Sequence, residues 1–247
     1  MRRTHPLKAL VLVCLAAPWA REAGAAPRHL PLGDDTGCLP RPTAAQLLPV
    51  LEGLAHADEK VCQLAVDALL CGCFLHQGLP DDAPASRWDG VPALEAVALL
   101  KGRLGAAQPC VRRLAATWLG RSESPEALAI LRTALGSSRP EERQAAALGL
   151  GERADTSSRV SLEKALLDED DGVAATAAWA LGALQDARAI SALQKAAHHA
   201  QARVRRAAVA SLGSFRDTEA LVLAVLLEGL KDKDVEVRRE AAQALGR

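Results

Sequence analysis

The stretch VRREAAQALG at residues 237–246 decides the fold, because four similar stretches precede it in the chain. All five end in Leu-Gly, and their final glycines are separated by 31, 31, 31 and 33 residues. Repetition at this period is typical of arrays in which each repeat is one pair of helices. We therefore predict a stack of helix pairs. The earlier copies are VRRLAATWLG (111–120), ERQAAALGLG (142–151), VAATAAWALG (173–182) and VRRAAVASLG (204–213).

Each copy is predicted to be the first helix of its pair. An alanine stands five positions before every final glycine, where a neighbouring helix comes closest and a small side chain fits. We place the glycine beyond the last helical turn, where a left-handed conformation suits it. Ser124, Asp170, Asp217 and Asp234 lie near helix starts and are predicted caps. The second helices are predicted in SPEALAILRTAL (124–135), SSRVSLEKALL (157–167), ARAISALQKAA (187–197) and TEALVLAVLLEGL (218–230).

The earlier part of the chain contains degenerate copies of the same pattern. VCQLAVDALL (61–70) resembles a first helix and VPALEAVALL (91–100) a second, with the loop QGLPDDAPASRWDG (77–90) inserted between them. TAAQLLPVLEGLAHAD (43–58) is predicted to be a lone second helix, and the sequence stops just after a first helix. The predicted fold is all-α: an α-solenoid of about five antiparallel helix pairs plus two terminal half-units, over residues 43–247.

The N-terminal segment has the organisation of a secretory signal peptide. A basic start that includes Arg2 and Arg3 precedes an apolar run and a group of small residues. The apolar run is shorter than the roughly 20 residues that cross a bilayer. We predict cleavage after Ala25, export to the periplasm or the medium, and no stable membrane span after cleavage. Residues 1–25 are then the signal peptide and residues 26–42, rich in Pro, Gly and Asp, an extended leader.

Composition narrows the classes of partner. Lys and Arg number 30, as do Asp and Glu, so the formal net charge is zero. Binding to nucleic acid needs a local excess of basic side chains that neutralise phosphates, so we predict no nucleic-acid partner. Aromatic residues make up only 2% of the chain, and the core must therefore be built from Ala, Leu and Val on closely packed helices.

The repeated pattern resembles a known family. The motif D-x-x-V-R-x-x-A-A-x-A-L-G, most complete in DKDVEVRREAAQALG (232–246), is similar to the HEAT repeat of the short, phycobilisome-lyase-like type. The resemblance extends over roughly residues 43–247. It implies a helical scaffold or adaptor for other proteins and, less often, an enzyme, since one fold hosts many functions.

Arginines recur at matching places in the first helices, so stacking should align them as a ladder. One interpretation is an anion-binding stripe. The other is structural: each arginine pairs with a carboxylate of the preceding inter-repeat turn and with nearby carbonyls, which is the role that the resemblance implies. We favour the structural interpretation. The ladder residues are Arg112, Arg143, Arg205 and Arg238, with Asp170 and Asp234 as predicted partners.

Export also changes how the cysteines are interpreted, since an oxidising compartment lets thiols pair. Cys38, Cys62, Cys71, Cys73 and Cys110 remain after cleavage. Cys71 and Cys73 would lie about 200° apart on a helix, so we predict disulfides rather than a metal site. Cys62 and Cys110 stand near the starts of equivalent helices and are a reasonable pair, which leaves Cys38 for Cys71 or Cys73. The absence of a C-x-x-C motif argues against a redox function.

Most of the other candidate functional residues are better interpreted as structural. His198-His199 is predicted to be an exposed turn pair, since the sequence has none of the His-Glu dipeptides that the di-iron hydroxylases of this fold carry. Trp118 and Trp179 are predicted to fill the core or the repeat interfaces. Trp88 differs, because it lies beside Arg87 in the inserted loop, where an exposed aromatic residue is a candidate binding hot spot.

We predict an exported scaffold or adaptor, not an enzyme and without a cofactor, that binds a partner protein through a concave surface of second helices. The outward residues of those helices mix charges of both signs, which suits a mixed-charge protein surface better than a polyanion. The alternative is an enzyme of the bilin-lyase kind, although we find no nucleophile–base pair in the sequence. The predicted binding residues of these helices are Arg132, Arg159, Lys164 and Lys195.

Overall fold

The structure is a computed structural model that describes residues 44–71, 94–215 and 219–246. These ranges contain twelve α-helices and two short 3-10 helices, and no strand. The predicted all-α repeat architecture is thereby confirmed. The α-helices are α1 (Ala44–Ala55), α2 (Glu59–Cys71), α3 (Leu94–Lys101), α4 (Pro109–Arg121), α5 (Pro125–Ala134), α6 (Pro140–Arg153), α7 (Arg159–Ala165), α8 (Asp171–Ala183), α9 (Ile190–Ala196), α10 (Ala202–Leu212), α11 (Glu219–Gly229) and α12 (Val235–Leu245).

The chain divides into two compact units, of which the N-terminal one extends to Leu114. In this unit α1 packs against α2 and α3. A disulfide joins Cys62 in α2 to Cys110 in α4, with 6.1 Å between the two Cα atoms, so the structure contains the pair expected from the sequence. The predicted signal peptide, leader and inserted loop lie outside the described residues, as do Cys38 and Cys73.

The C-terminal unit, from Ala115 onward, is built from regular helix pairs. Its first helices α6, α8, α10 and α12 pack on one another in order, and each second helix packs against the first helix that follows it. The alanine five positions before each final glycine is completely buried, as close helix contact requires. These alanines, including the one in the helix that leads out of the N-terminal unit, are Ala115, Ala146, Ala177, Ala208 and Ala241.

The predicted left-handed role of the final glycines is wrong. Gly213 and Gly246 follow α10 and α12 with φ angles of −65° and −89°, in the right-handed region. The non-glycine residues with left-handed φ in the described ranges are Ala154, with φ 53°, and Gln185, with φ 51°, which follow α6 and α8. The remaining final glycines, Gly120, Gly151 and Gly182, lie inside helices.

Close approach of neighbouring first helices explains these glycines instead. A Cβ atom built on Gly182 would lie 2.6 Å from Cβ of Ser211 in the next first helix. A Cβ atom on Gly151 would lie 2.9 Å from Cα of Ala180 in the same way. Because the backbones approach this closely, any side chain would force the helices apart. Close contact between helices therefore accounts for Gly120, Gly151, Gly182 and Gly213, whereas Gly246 makes only ordinary contacts after α12.

The turns are closed by the caps that the sequence predicted. The Ser124 hydroxyl accepts a hydrogen bond from the Glu126 amide at 3.1 Å, with Pro125 in the first turn of α5. The Asp170 carboxylate accepts from the amide of Val173 at 3.0 Å, and Asp234 caps α12 in the same manner. These bonds satisfy backbone donors that have no partner within their helix. Asp217 lies outside the described residues.

Candidate binding groove on the second helices

The ladder arginines Arg143 and Arg205 bond to carboxylates and backbone carbonyls within the C-terminal unit. Nε of Arg143 donates to Asp168 at 2.7 Å and Nη2 donates to the other carboxylate oxygen at 2.8 Å. Its Nη1 donates to the carbonyls of Ser137 and Ser138. Arg205 makes the same set of bonds, to Asp232 at 2.7 and 2.8 Å. Such two-point contacts use the planar fork of the guanidinium group.

This geometry corrects the predicted partners of the arginines. The carbonyls come from the preceding turn, but the carboxylate comes from the turn that follows, and it is Asp168 or Asp232 rather than Asp170 or Asp234. The last two residues are occupied as helix caps. In both Asp-Glu-Asp (168–170) and Asp-Lys-Asp (232–234), the first aspartate pairs with the arginine and the second caps the helix. The repeated two-residue spacing of these aspartates is the sequence feature that could have distinguished the two roles.

Each ion pair favours the charged form of both groups. The hydrogen bond from Arg205 is the main reason that the pKa of Asp232 lies below its ordinary value. Burial tends to raise the pKa of Asp168, but the hydrogen bonds from Arg143 and from the amide of Asp170 outweigh it and lower the pKa. The pKa of Arg205 is raised, chiefly by its hydrogen bond to Asp232. These groups are therefore held as ion pairs.

The other two ladder arginines also bond to turn carbonyls. Nη1 of Arg112 donates to the carbonyl oxygens of Ala106 and Ala107, at 2.6 and 2.9 Å. Nη1 of Arg238 donates to those of Asp232 and Lys233, at 2.8 and 3.0 Å. In all four repeats the acceptors stand five and six residues before the arginine. The shared geometry supports a structural role for the ladder.

One repeat departs from this arrangement. Ala174 takes the place of the arginine, eight residues before Gly182, and His199 takes the place of the carboxylate in the turn that follows. Nδ1 of His199 accepts the amide of Gln201 at 3.1 Å, just as Asp168 accepts the amide of Asp170 at 2.9 Å. Both members of the ion pair are thus replaced together, while the local turn is kept.

His199 also borders a groove between the second helices α7 and α9. The groove encloses about 430 Å³ and is open to solvent. The side chains that α9 contributes to its lining include three small ones, Ser191, Ala192 and Ala196. Its remaining lining consists of Arg159, Glu163, Leu166, Leu167, Arg188, Lys195 and His199. Two predicted binding residues, Arg159 and Lys195, therefore meet in one groove.

The two arginines that line the groove pair with nearby carboxylates. Arg188 donates through Nε and Nη2 to Asp186, and Arg159 pairs with Glu163 and with Asp186, at 3.4 Å from the latter. The hydrogen bond from Arg188 is the main cause of the lowered pKa of Asp186. Lys195 differs, since its amino group is exposed and makes no bond to another described residue.

Two further predicted binding residues lie outside the groove. Arg132 donates to the hydroxyl of Ser157 and pairs with Asp155 at 3.6 Å. It therefore links α5 to the 3-10 helix that precedes α7. Lys164 is exposed on α7 without lining the groove. Arg87 and Trp88 lie outside the described residues, and the structure does not test their predicted role.

The tryptophans and histidines that the sequence singled out differ in how far they are buried. Trp118 is buried as predicted, whereas Trp179 packs over Gly151 yet leaves 40% of its surface exposed. His198 is exposed and lies 3.7 Å from Glu228 of α11. No group of three or more His, Cys, Asp or Glu residues suited to a metal ion lies within residues 44–71, 94–215 and 219–246. No helix in these ranges is long and apolar enough to cross a membrane.

The repeat family follows from comparison with known proteins. The sequence pattern of HEAT repeats matches residues 96–176, 134–213 and 161–246, which together make up more than half of the chain. The chain belongs to the HEAT-repeat family. The groove thus lies between two consecutive HEAT repeats. No curated protein matches the chain significantly.

Several solved structures resemble this HEAT-repeat chain in fold. The complex of CpcE and CpcF of phycocyanin lyase from Nostoc sp. PCC7120 matches at 21% identity and TM-score 0.48, over 90% of this chain and 81% of that one. Human deoxyhypusine hydroxylase in complex with glycerol matches at 18% and 0.42, over 80% and 84%. An engineered protein matches at 21% and 0.44, over 80% and 95%. Likenesses at this level say nothing about activity.

Proposed function

We propose that this chain is an exported HEAT-repeat scaffold that binds a partner protein on its second-helix surface, the exposed side chains of α5, α7, α9 and α11. The groove between α7 and α9 is the observation that carries the proposal. It is open to solvent, lies on helices that pack against the first helices, and presents Lys195, whose amino group bonds to no other described residue.

Exposed apolar side chains on the same surface support protein binding. Val160 of α7 and Leu223 and Leu227 of α11 are all exposed, and Leu167, two residues after the end of α7, leaves 85% of its surface in solvent. Large apolar residues that recur on one face, among polar neighbours, are typical of protein contact sites. The ladder arginines, in contrast, are occupied by the fold and leave little for a ligand.

Site-specific photo-crosslinking in the native host tests the proposal. A photoreactive amino acid at Ser191, an exposed position in the groove, should yield adducts with one or a few proteins. The matched control is the same amino acid at Arg206, which is exposed on the first helix α10. Equal adducts at the two positions, or none at Ser191, would show that the second helices are not the binding surface.

Export is proposed from the N-terminal segment alone. Cell fractionation followed by N-terminal sequencing should find the chain outside the cytoplasm, beginning at Ala26. A chain that stays in the cytoplasm with residues 1–25 intact would contradict export while leaving the binding proposal open to its own test.

The bilin-lyase alternative requires a different experiment. Incubation of the purified chain with a bilin and candidate acceptor proteins should give no covalent pigment, because we find no nucleophile–base pair in the sequence. Covalent attachment that depends on this chain, detected by absorbance after denaturation, would establish the enzymatic function instead.

A further inference from the structure

The charges in and next to the groove between α7 and α9 differ in exposure. Its two neighbouring carboxylates are Asp186, which caps the 3-10 helix before α9, and Glu163 of α7, and both are largely covered. The side chain of Asp186 is only 7% exposed and that of Glu163 is 25% exposed. Two of the cations that line the groove reach outward, since Arg188 is 69% exposed and Lys195 is also exposed, whereas Arg159 is 19% exposed and is paired with Glu163.

The cause is the local turn chemistry. Asp186 accepts the amide of Arg188 at 3.0 Å and so must stay close to the backbone, whereas the arginine side chain extends over it. Nη1 of Arg188 has no partner in the described part of the chain, and neither has the amino group of Lys195. A ligand that enters the groove therefore meets the hydrogen-bond donors of Arg188 and Lys195 before it meets the carboxylate of Asp186.

An apolar contact lies beside these donors. Leu167 lines the groove with most of its surface in solvent, next to the buried Leu166. A nucleic acid or another uniform polyanion would leave this leucine without an apolar partner and would face Glu163 in the groove. A peptide that carries both carboxylates and aliphatic side chains complements all of these groups.

We infer that the groove between α7 and α9 binds an acidic segment of the partner protein, with carboxylates on Arg188 and Lys195 and an aliphatic side chain on Leu167. This inference rests on the proposed scaffold function and names the chemistry of its partner. It also replaces the mixed-charge partner expected from the sequence, because depth rather than the count of charges decides which sign a ligand meets.

Fluorescence anisotropy with purified full-length chain tests the inference. The probe is a labelled peptide that alternates Glu with Leu, and its control has Gln in place of Glu. Lys195→Glu should weaken binding of the acidic peptide about tenfold, since it places like charge opposite the ligand. Lys233→Glu is the matched control, because it changes the net charge equally in an exposed turn outside the groove and should leave binding unchanged.

Two further variants test the apolar contact. Leu167→Ser should weaken binding several-fold, whereas Val235→Ser, at an exposed aliphatic position on α12, should have no effect. Lys195 and Leu167 are largely exposed, so their variants should keep the wild-type melting temperature, and a shifted melting curve would identify a folding defect rather than lost binding.

Three results would overturn the inference. They are equal losses in Lys195→Glu and Lys233→Glu, binding of the Gln peptide as tight as that of the Glu peptide, and displacement of the probe by a single-stranded oligonucleotide of the same charge. If Ser191 crosslinks to a partner in cells while the acidic probe fails to bind, the scaffold function stands and only the acidic class of ligand is wrong. If Ser191 captures nothing, the scaffold function itself is wrong.

Discussion

Asp232 accepts two hydrogen bonds from the guanidinium group of Arg205, while Nη1 of the same arginine donates to the carbonyls of His199 and Ala200. One side chain thus connects the turn before α10 to the turn before α12. Because both partners are largely buried, the arrangement is stable only while both charges are present.

Removal of one partner should therefore be costly. Asp232→Ala leaves the Arg205 charge buried without its carboxylate, and we expect a loss of about 3 kcal/mol in the free energy of unfolding. Glu169→Ala is the control, since Glu169 is 90% exposed in its contact with Arg143 and should change stability by less than about 0.5 kcal/mol. Urea denaturation measures both. Similar values for the two variants would contradict the structural role of the ladder.

Acid should weaken the fold through the same groups. The folded-state pKa values of Asp168, Asp186 and Asp232 lie below the ordinary value near 3.9. The stability that they provide is then complete above that value and is lost as the pH falls through the lowered folded-state values. The melting temperature should fall steeply below about pH 4. Asp232→Asn should show a shallower fall, and an unchanged slope would assign acid sensitivity elsewhere.

The repeat that lacks the ion pair offers a test by reconstruction. Ala174→Arg combined with His199→Asp should recreate the contact seen between Arg143 and Asp168. In a double-mutant cycle we expect a favourable coupling of roughly 1–3 kcal/mol, although either single change should be neutral or destabilising because it introduces one unpaired group. Additive effects of the two changes would mean that Ala174 and His199 do not lie in the geometry of the other repeats.

The glycine contacts should be intolerant of any side chain. Gly182→Ala places a Cβ atom against Ser211, and we expect a loss of about 1–3 kcal/mol from overpacking. Gly136→Ala is matched, since its nearest atom would lie at 3.6 Å, an ordinary contact. Adding Ser211→Gly should recover part of the loss. Thermal unfolding of the three variants decides whether helix contact or helix ending accounts for the glycine.

The disulfide should stabilise the N-terminal unit. Cys62 and Cys110 are 48 positions apart, and restriction of a loop of that length in the unfolded chain contributes up to about 4 kcal/mol. Protein from an oxidising host should give a peptide pair joined through these two cysteines in non-reducing mass spectrometry. A reductant should lower the unfolding midpoint of the wild-type chain by more than that of a variant with both cysteines replaced by serine, which keeps any other disulfide. Two free thiols at these positions would contradict the bond.

Local chemistry in the sequence predicted much of this molecule. The period of the Leu-Gly pairs predicts helix pairs, since only a repeated structural unit requires small residues at the same place each time. The alanines of the first helices are buried for the reason that their spacing indicated. The caps Ser124, Asp170 and Asp234 depend on backbone amides two or three residues away, so their roles follow from nearby sequence.

The tertiary structure alone decided the longer-range relationships. Arg143 and Asp168 are 25 residues apart, and only the stacking of helices shows that the arginine reaches the following turn. Gly182 appears from the sequence to end a helix, but the backbone of the next repeat, beside Ser211, accounts for it. The sequence by itself determined the repeat, its helices and their caps, because those depend on residues that lie close along the chain. The depth of each charge in the groove, and hence the sign that a partner meets, depends on packing between repeats and was decided only by the fold.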